Sequence, residues 1–405
     1  MKIQRVEQHQ IKKSNPMWKI IDKLCFKSKN VYNYGNYIIR QEFINTSKWI
    51  RYKDLSKQIK HSNCFKDLGS NSAQMTLRRL DKNWKSFFEG VKKYKKHPEK
   101  FLGRPKIPKY KEKNGRFVLE LTNMQTHIKD SYLYFAWKPL RHFNNKMKTN
   151  VKGRLLQTRF VPKNNCYILE IVYELNIFDI EDKESKNICS IDLGINNFVT
   201  IVNNIGIIPI VINGKGIKSY NQYWNKQISK YKSILKKINN KDWSNRLDRL
   251  TLKRYNKLNN FLHKASKQVI EYCRCLDIDT IIIGKNDGWK QNSKLNKKIN
   301  QGFIQLPYND FINMVEYKAE NIGVKVILTE ESYTSGTSFL DEELPIKENY
   351  NKNRRIFRGL FRSNTGRLIN SDVNGSLQII KKVISNAFSG YEIEGLDLTP
   401  LVMNL

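Results

Sequence analysis

Three short apolar segments in the second half of this chain each run into an acid, and that pattern limits the folds open to it. They are Ile191-Asp192-Leu193-Gly194-Ile195, Thr329-Glu330-Glu331-Ser332-Tyr333-Thr334-Ser335 and Ile369-Asn370-Ser371-Asp372-Val373-Asn374-Gly375. An unpaired charge is costly to bury, so an acid at the edge of an apolar run belongs at a cleft. Three carboxylates gathered by a fold could hold a pair of hard divalent cations, which prefer oxygen ligands. Two such ions roughly 4 Å apart activate a water and stabilise the leaving oxygen of a phosphodiester. Each acid also has a simpler reading. Asp192 could cap the turn at Gly194, Asp372 could cap the helix that follows it, and Glu330-Glu331 could sit in solvent.

Charge narrows the choice of substrate. The chain has 73 Lys+Arg against 37 Asp+Glu, a formal net charge of +36 over 405 residues. Biased codon usage can enrich Lys and Asn, but it does not create such an imbalance of sign. A polyanion partner explains it, because each neutralised phosphate releases counterions. Residues 1–185 carry a net +23 and residues 186–405 a net +13, so the contact surface is expected to cross between domains. No apolar run approaches the ~20 residues that span a bilayer, and Met1-Lys2-Ile3-Gln4-Arg5 lacks a signal-peptide core. The six cysteines, at 25, 64, 166, 189, 273 and 275, form no C-x-x-C pair. Reduced thiols and a cytoplasmic location, at the nucleoid through DNA, are the expectation.

The chain reads as an α+β multidomain protein. Residues 1–15 alternate as a strand and residues 16–100 read as helical. Phe26, Tyr32, Tyr34, Tyr37 and Ile38 are taken as one apolar face; Met75, Leu77, Leu80, Trp84, Phe87, Phe88 and Val91 as another. Between Arg79 and Arg116 stand 14 basic and 4 acidic residues with aromatics among them, a pattern that suits backbone tracking and base stacking. Arg79, Lys92, Lys93, Lys95, Lys96, Arg104, Lys106, Lys109 and Lys111 are the nucleic-acid-binding candidates. The prolines of Phe101–Lys111 exclude a helix there. Residues 101–185 alternate in short strands, as a small barrel or sandwich would, and 178–187 reads as a linker. From 186 to 405 hairpins come first and helices later, as in a ribonuclease-H-like α/β domain. Its long helices occupy about 216–275, strands are expected at 277–283 and, buried, at 324–328, and a helix at 372–387.

At these motifs the sequence resembles the TnpB family, transposon-encoded RNA-guided nucleases related to type V CRISPR effectors and Fanzor proteins. The pattern Gln74-x-x-Leu77-x-Arg79-Leu80-Asp81-x-x-Trp84-x-x-Phe87-Phe88 resembles the family's recognition-lobe helix. Phe101–Lys111 is similar to its proline-containing basic segment. Ile191-Asp192-Leu193-Gly194 resembles the first RuvC motif, Tyr317-Lys318-Ala319-Glu320 a later helix, and Thr334-Ser335 with Asp372-Val373-Asn374-Gly375 the third block. The resemblance implies a wedge-like β-barrel with an inserted helical recognition domain, then a RuvC domain. It also implies a guide RNA from the transposon end, a DNA target and Mg²⁺, with Mn²⁺ as the alternative.

Two departures stand out. Where relatives place the second carboxylate at a strand end, this chain has Ile281-Ile282-Ile283-Gly284, and glycine offers no ligand. The acid is expected at Glu330 or Glu331 instead, and the spacing to Thr334-Ser335 favours Glu331. Asp192, Glu331 and Asp372 are then the catalytic and metal-binding set. Relatives also carry a zinc ribbon, but here Ser338 and Asp341 occupy the first cysteine positions and no cysteine follows Cys275. No zinc is expected, and the insert at 337–368, basic through Arg354, Arg355, Arg358, Arg362 and Arg367, needs another source of rigidity. The expected function is RNA-guided DNA endonuclease of a transposable element. A nuclease-inactive RNA-guided repressor is the alternative, and a DDE-type transposase a further one.

Overall fold

Alternation along the first residues makes a strand whose partner lies far along the chain. The computed structural model describes residues 2–176, 185–286, 297–389 and 398–405, so most of the expected linker at 178–187 lies outside the described residues. Chain contacts divide the protein into two units, Met1–Asn176 and Ile177–Leu405.

The first unit runs β1 (Lys2–Ile11), α1 (Trp18–Thr46), α2 (Tyr52–Ile59), α3 (Asn63–Leu68), α4 (Ser70–Lys96), β2 (Leu119–Thr122), β3 (Thr126–Lys129), β4 (Tyr132–Phe135), β5 (Arg154–Lys163) and β6 (Cys166–Asn176). β1 pairs antiparallel with β6 from Lys2↔Asn176 to Ile11↔Tyr167. The part expected as a wedge-like barrel is a four-stranded sheet, ordered β1-β6-β5-β2, with the β3-β4 hairpin separate from it. Helices α1–α4 are inserted between its first two strands, and their apolar faces form one core with the sheet.

On α4 the anticipated face is buried at Leu77, Leu80 and Trp84, all fully inaccessible. The face of α1 corrects the sequence reading. Tyr34 and Tyr37 are exposed, and the helix buries Ile21, Leu24, Cys25, Val31, Tyr32 and Ile39. Those positions follow the 3.6-residue period that the aromatic spacing had obscured. The recognition-helix pattern has structural work. Arg79 pairs with Glu120 of β2, and Asp81 accepts from Arg51 and from the Tyr52 backbone at the start of α2.

The second unit runs β7 (Ile188–Leu193), β8 (Asn197–Asn203), β9 (Ile210–Asn213), α5 (Lys215–Asn239), α6 (Asn245–Cys275), β10 (Thr280–Gly284), α7 (Lys297–Ile304), α8 (Tyr308–Glu320), β11 (Lys325–Thr329), β12 (Arg355–Phe357), β13 (Leu360–Arg362), β14 (Leu368–Asn370), α9 (Ser371–Val383) and β15 (Leu401–Met403). Its six-stranded sheet has the order β11-β10-β7-β8-β9-β15. β7, β8 and β9 form an antiparallel meander, and β10 joins β7 and β11 in parallel. This is a ribonuclease-H-like α/β arrangement. β11 is an edge strand with Leu328 exposed, not the buried strand that its apolar sequence suggested.

The sheet has two dressed faces. Cys189, Ile191, Ile281 and Ile283 point into the core beneath α6 and α8, while Ile188, Val202 and Ile282 face α9. Cys273 packs in the first core with its sulfur 3.8 Å from that of Cys189, a packing role as its sequence context suggested. Lys318, from the Tyr317–Glu320 motif, donates to the His263 carbonyl and the Ser266 hydroxyl of α6 at 3.0 and 2.7 Å. That motif therefore fixes α8 to α6.

The insert at 337–368 is ordered by packing and hydrogen bonds. Phe339 and Phe361 are buried in the α9 core, and β12-β13-β14 form a small antiparallel sheet. At the first cysteine positions, Ser338 Oγ accepts from Asp341 N at 3.3 Å, and Asp341 Oδ2 accepts from Asn364 N at 2.8 Å. Glu343 Oε2 accepts from Ser338 N, and both Glu343 oxygens receive Arg354 at 2.5 and 2.7 Å. Arg354 is thus committed inside the insert, whereas Arg355, Arg358 and Arg362 are exposed. The Arg354 bonds hold the Glu343 carboxyl below its ordinary range against the effect of burial. A depressed carboxyl contributes stability at neutral pH that is lost as pH falls through its folded pKa. Arg354→Met should cost the second unit roughly 2–3 kcal/mol and flatten its acid-side loss of stability, as measured by thermal unfolding at pH 7 and pH 4.

Candidate active site and nucleic-acid interface

A carboxylate on a central strand needs room above it, and small residues supply that room. Ser190 and Asp192 share the β7 face that looks toward α9. Ser190 Oγ donates to the Ser376 carbonyl at 2.6 Å, and a Cβ on Gly375 would lie 3.5 Å from Asp192 Oδ2. The first turn of α9 therefore lies directly over Asp192. Gly194 turns the chain so tightly that a Cβ would meet the Asn197 carbonyl at 2.4 Å, and the buried Tyr308 hydroxyl donates to the Gly194 carbonyl at 3.0 Å.

Asp372 is not the cap of α9. Asn370 performs that task, accepting from Asp372 N and Val373 N at 2.9 and 3.2 Å. Asp372 is released for another role, and its Oδ2 accepts from Asn197 Nδ2 at 2.6 Å.

The third position is decided by the close approach at Gly284. In the parallel register Ile283 lies opposite Ile191 and Gly284 opposite Thr329. A Cβ on Gly284 would lie 2.5 Å from Glu331 Oε1, 2.6 Å from its Cγ and 2.7 Å from Ile379 Cδ1. The Glu331 side chain lies across the end of β10, in the space that a side chain on that strand would take. Glu331 N is held by Asn286 Oδ1 at 2.8 Å, and its Oε1 is buried without a hydrogen-bond partner among the described residues. Glu330 is exposed and accepts from the Ser332 hydroxyl beside it.

The three acids share one field. Burial, then Glu331, then Asp372 push the Asp192 carboxyl well above the carboxylate range, while Arg355 and a backbone N–H oppose the shift. Burial pushes Glu331 up to about 7, with Lys382 opposing. Among the described residues no group of three or more His, Cys, Asp or Glu side chains forms a ready-made metal site. The chemistry of the donors still fits hard cations, since all are oxygens and one is a buried orphan. Sequence reading missed Asn197, Tyr308 and Lys382, and placed Arg355 in the basic insert without linking it to the acids. Asn197 alone carried a signal, as the polar residue opening the return strand after the Gly194 turn.

In the first unit the basic candidates form an exposed ridge. Lys92, Lys93, Lys95, Lys96, Arg104, Lys106 and Lys109 are all exposed. The extended segment that follows α4 is strapped to α1: Asn36 Nδ2 donates to the Pro108 carbonyl at 3.0 Å, and Asn33 exchanges bonds with the Lys111 backbone at 2.8 and 2.9 Å. Two candidates are spoken for. Arg79 is engaged by Glu120, and the Lys111 ammonium lies over the Tyr32 and Phe117 rings.

Two outcomes follow for the carboxylate cluster. Gly284→Ala should destabilise the second unit by about 1–3 kcal/mol, as overpacking does, read by thermal unfolding. The raised Glu331 carboxyl keeps a proton that the unfolded chain, at 4.5, has lost. Metal-free protein should therefore lose stability as pH rises from about 4.5 through about 7. Glu331→Gln should remove that component from the pH profile of Tm.

Residues 170–290 match the OrfB_IS605 family model, described as "Probable transposase", and residues 308–379 match the "Cas12f1-like, TNB domain" model. Asp192 lies in the first match; Glu330, Glu331 and Asp372 lie in the second. A relative, "TnpB-like protein ORF457" of Acidianus two-tailed virus, is 23% identical over 402 residues, covering 89% of this chain and 83% of that protein. Among solved structures, the Cas12f1-sgRNA-target DNA complex matches with 15% identity and a TM-score of 0.36, over 93% of this chain and 98% of the other. The CRISPR-Cas12f ternary complex matches with 12% identity and a TM-score of 0.37, over 89% and 80%. Two family models match the segments that carry its acids and a TnpB-like relative aligns along most of its length, so the chain is similar to the TnpB family.

Proposed function

We propose that this protein is an RNA-guided DNA endonuclease of a transposable element, with Asp192, Glu331 and Asp372 as its metal-binding catalytic carboxylates. The observation that carries the reading is the common field of these three acids at one end of a ribonuclease-H-like sheet. Similarity to the TnpB family supports an RNA-guided nuclease-type function. The net charge of +36 supports a polyanionic partner, here a guide RNA from the transposon end and its DNA target.

Divalent cations bound there, Mg²⁺ or Mn²⁺, supply the activation of water and the stabilisation of the leaving oxygen. The chain supplies the rest. Asn197 orients Asp372, Tyr308 fixes the turn behind Asp192, and Lys382 and Arg355 offset repulsion among the acids. Pairing with the guide would choose the sequence, while the protein reads the guide's shape and a short motif beside the target.

The test is cleavage of a plasmid library by protein co-expressed with its flanking non-coding DNA, in Mg²⁺. Cuts at a fixed offset from a guide-matched site are expected. Asp192→Ala, Glu331→Ala and Asp372→Ala should each reduce cutting by at least about 100-fold and leave guide RNA bound. Glu330→Ala should cut normally. A complex that binds its target but leaves DNA whole would favour the repressor reading, and full cutting by the Asp192 variant would remove the assignment.

A further inference from the structure

Beside the carboxylates, within the second unit, lies a cavity of about 410 Å³ that none of the above requires. Its size falls in the range of small-molecule and nucleotide sites. One wall is Ile195, in the turn that follows Asp192, and that turn is held by Lys218, whose Nζ donates to Asn196 Oδ1 at 2.8 Å. Lys226 of α5 and Arg358 also line it, and among the described residues no acid does.

The informative residue is Asn221. It lies on the α5 face shared with Lys218 and Asn225, lines the cavity and is only 2% exposed. Arg254 Nε donates to Asn221 Oδ1 at 2.7 Å. A guanidinium only donates, so the carboxamide oxygen must face it and the amide nitrogen must face away. That nitrogen, Nδ2, is buried with no partner among the described residues. The neighbouring amides are satisfied, since Asn225 and Gln305 exchange two bonds at 3.0 and 2.7 Å. A buried donor without an acceptor costs free energy, so a small shift of the carboxamide toward an acceptor in the cavity would be favoured.

We propose that the cavity seats one base of the DNA strand entering the carboxylate cluster. An exocyclic carbonyl of that base accepts from Asn221 Nδ2, and its phosphate lies among Lys218, Lys226 and Arg358. This rests on the nuclease reading above for the identity of the strand. Thymine, cytosine and guanine carry such a carbonyl; adenine does not, so adenine is the disfavoured occupant.

The test uses the full chain loaded with its co-expressed RNA, in Ca²⁺. Single-stranded target oligonucleotides carry one photoreactive thiothymidine at successive positions. One position should crosslink preferentially to the α5 peptide around Asn221, and placing adenine there in the ordinary substrate should weaken binding. Asn221→Asp keeps the acceptor for Arg254 but removes the donor. It should lower that crosslink by roughly fivefold, the worth of one hydrogen bond, and leave crosslinks at other positions unchanged. Crosslinks spread evenly, directed to another element, unaffected by Asn221→Asp, or formed by the guide RNA in place of the target would each overturn the proposal. Asp192→Ala separates the two readings. If that variant still cuts while the α5 crosslink persists, the catalytic assignment falls and the base pocket stands; if it is inactive and no position-specific crosslink forms, the reverse holds.

Discussion

Like charges out of water repel, and the second unit is organised around a place where three of them are forced together. Asp192 on β7, Glu331 beyond β11 and Asp372 in the first turn of α9 each come from a different element. Each is held by a neighbour: Asn197 on Asp372, Asn286 on the Glu331 backbone, Tyr308 on the turn behind Asp192. Burial and mutual repulsion raise the Asp192 carboxyl, and burial raises Glu331. A stability-driven design would put apolar residues there. Keeping acids instead is the kind of local conflict that marks a functional site.

The structural demands of that cluster explain features that otherwise read as accidents. Ser190, Gly375 and Ser376 are small because α9 must approach β7 closely enough to bring Asp372 over Asp192. Asn370 caps the helix so that Asp372 need not. In the insert, where relatives use a metal, Glu343 and Arg354 supply a charged crosslink. Buried Phe339 and Phe361 supply the packing.

Much of this was legible in the sequence, and the misses have physical causes. Local signals located the strand at 188–193 with its glycine turn, the long helices of 215–275 and the helix after Asp372. Charge and proline spacing marked the exposed ridge from Lys92 to Lys109. Tertiary relations were not legible. Tyr34 and Tyr37 are as apolar as core residues, yet lie off the buried stripe of α1. The strand before Glu330 is apolar enough to be central, but its pairing places it at the sheet edge. Arg79 belonged by composition to the nucleic-acid ridge, and only the fold shows Glu120 against it. Sequence spacing favoured Glu331 over Glu330. The physical distinction between them, one side chain lying across Gly284 and the other in solvent, exists only in three dimensions.

The contact at Gly284 couples two positions that lie far apart in the chain. Glu331 lies in the volume that a side chain on residue 284 would need, so such a side chain is accommodated only if Glu331 and Ile379 shift. Each position's tolerance for change is therefore set by the other, and the placement of the carboxylate depends on a side chain being absent one strand away.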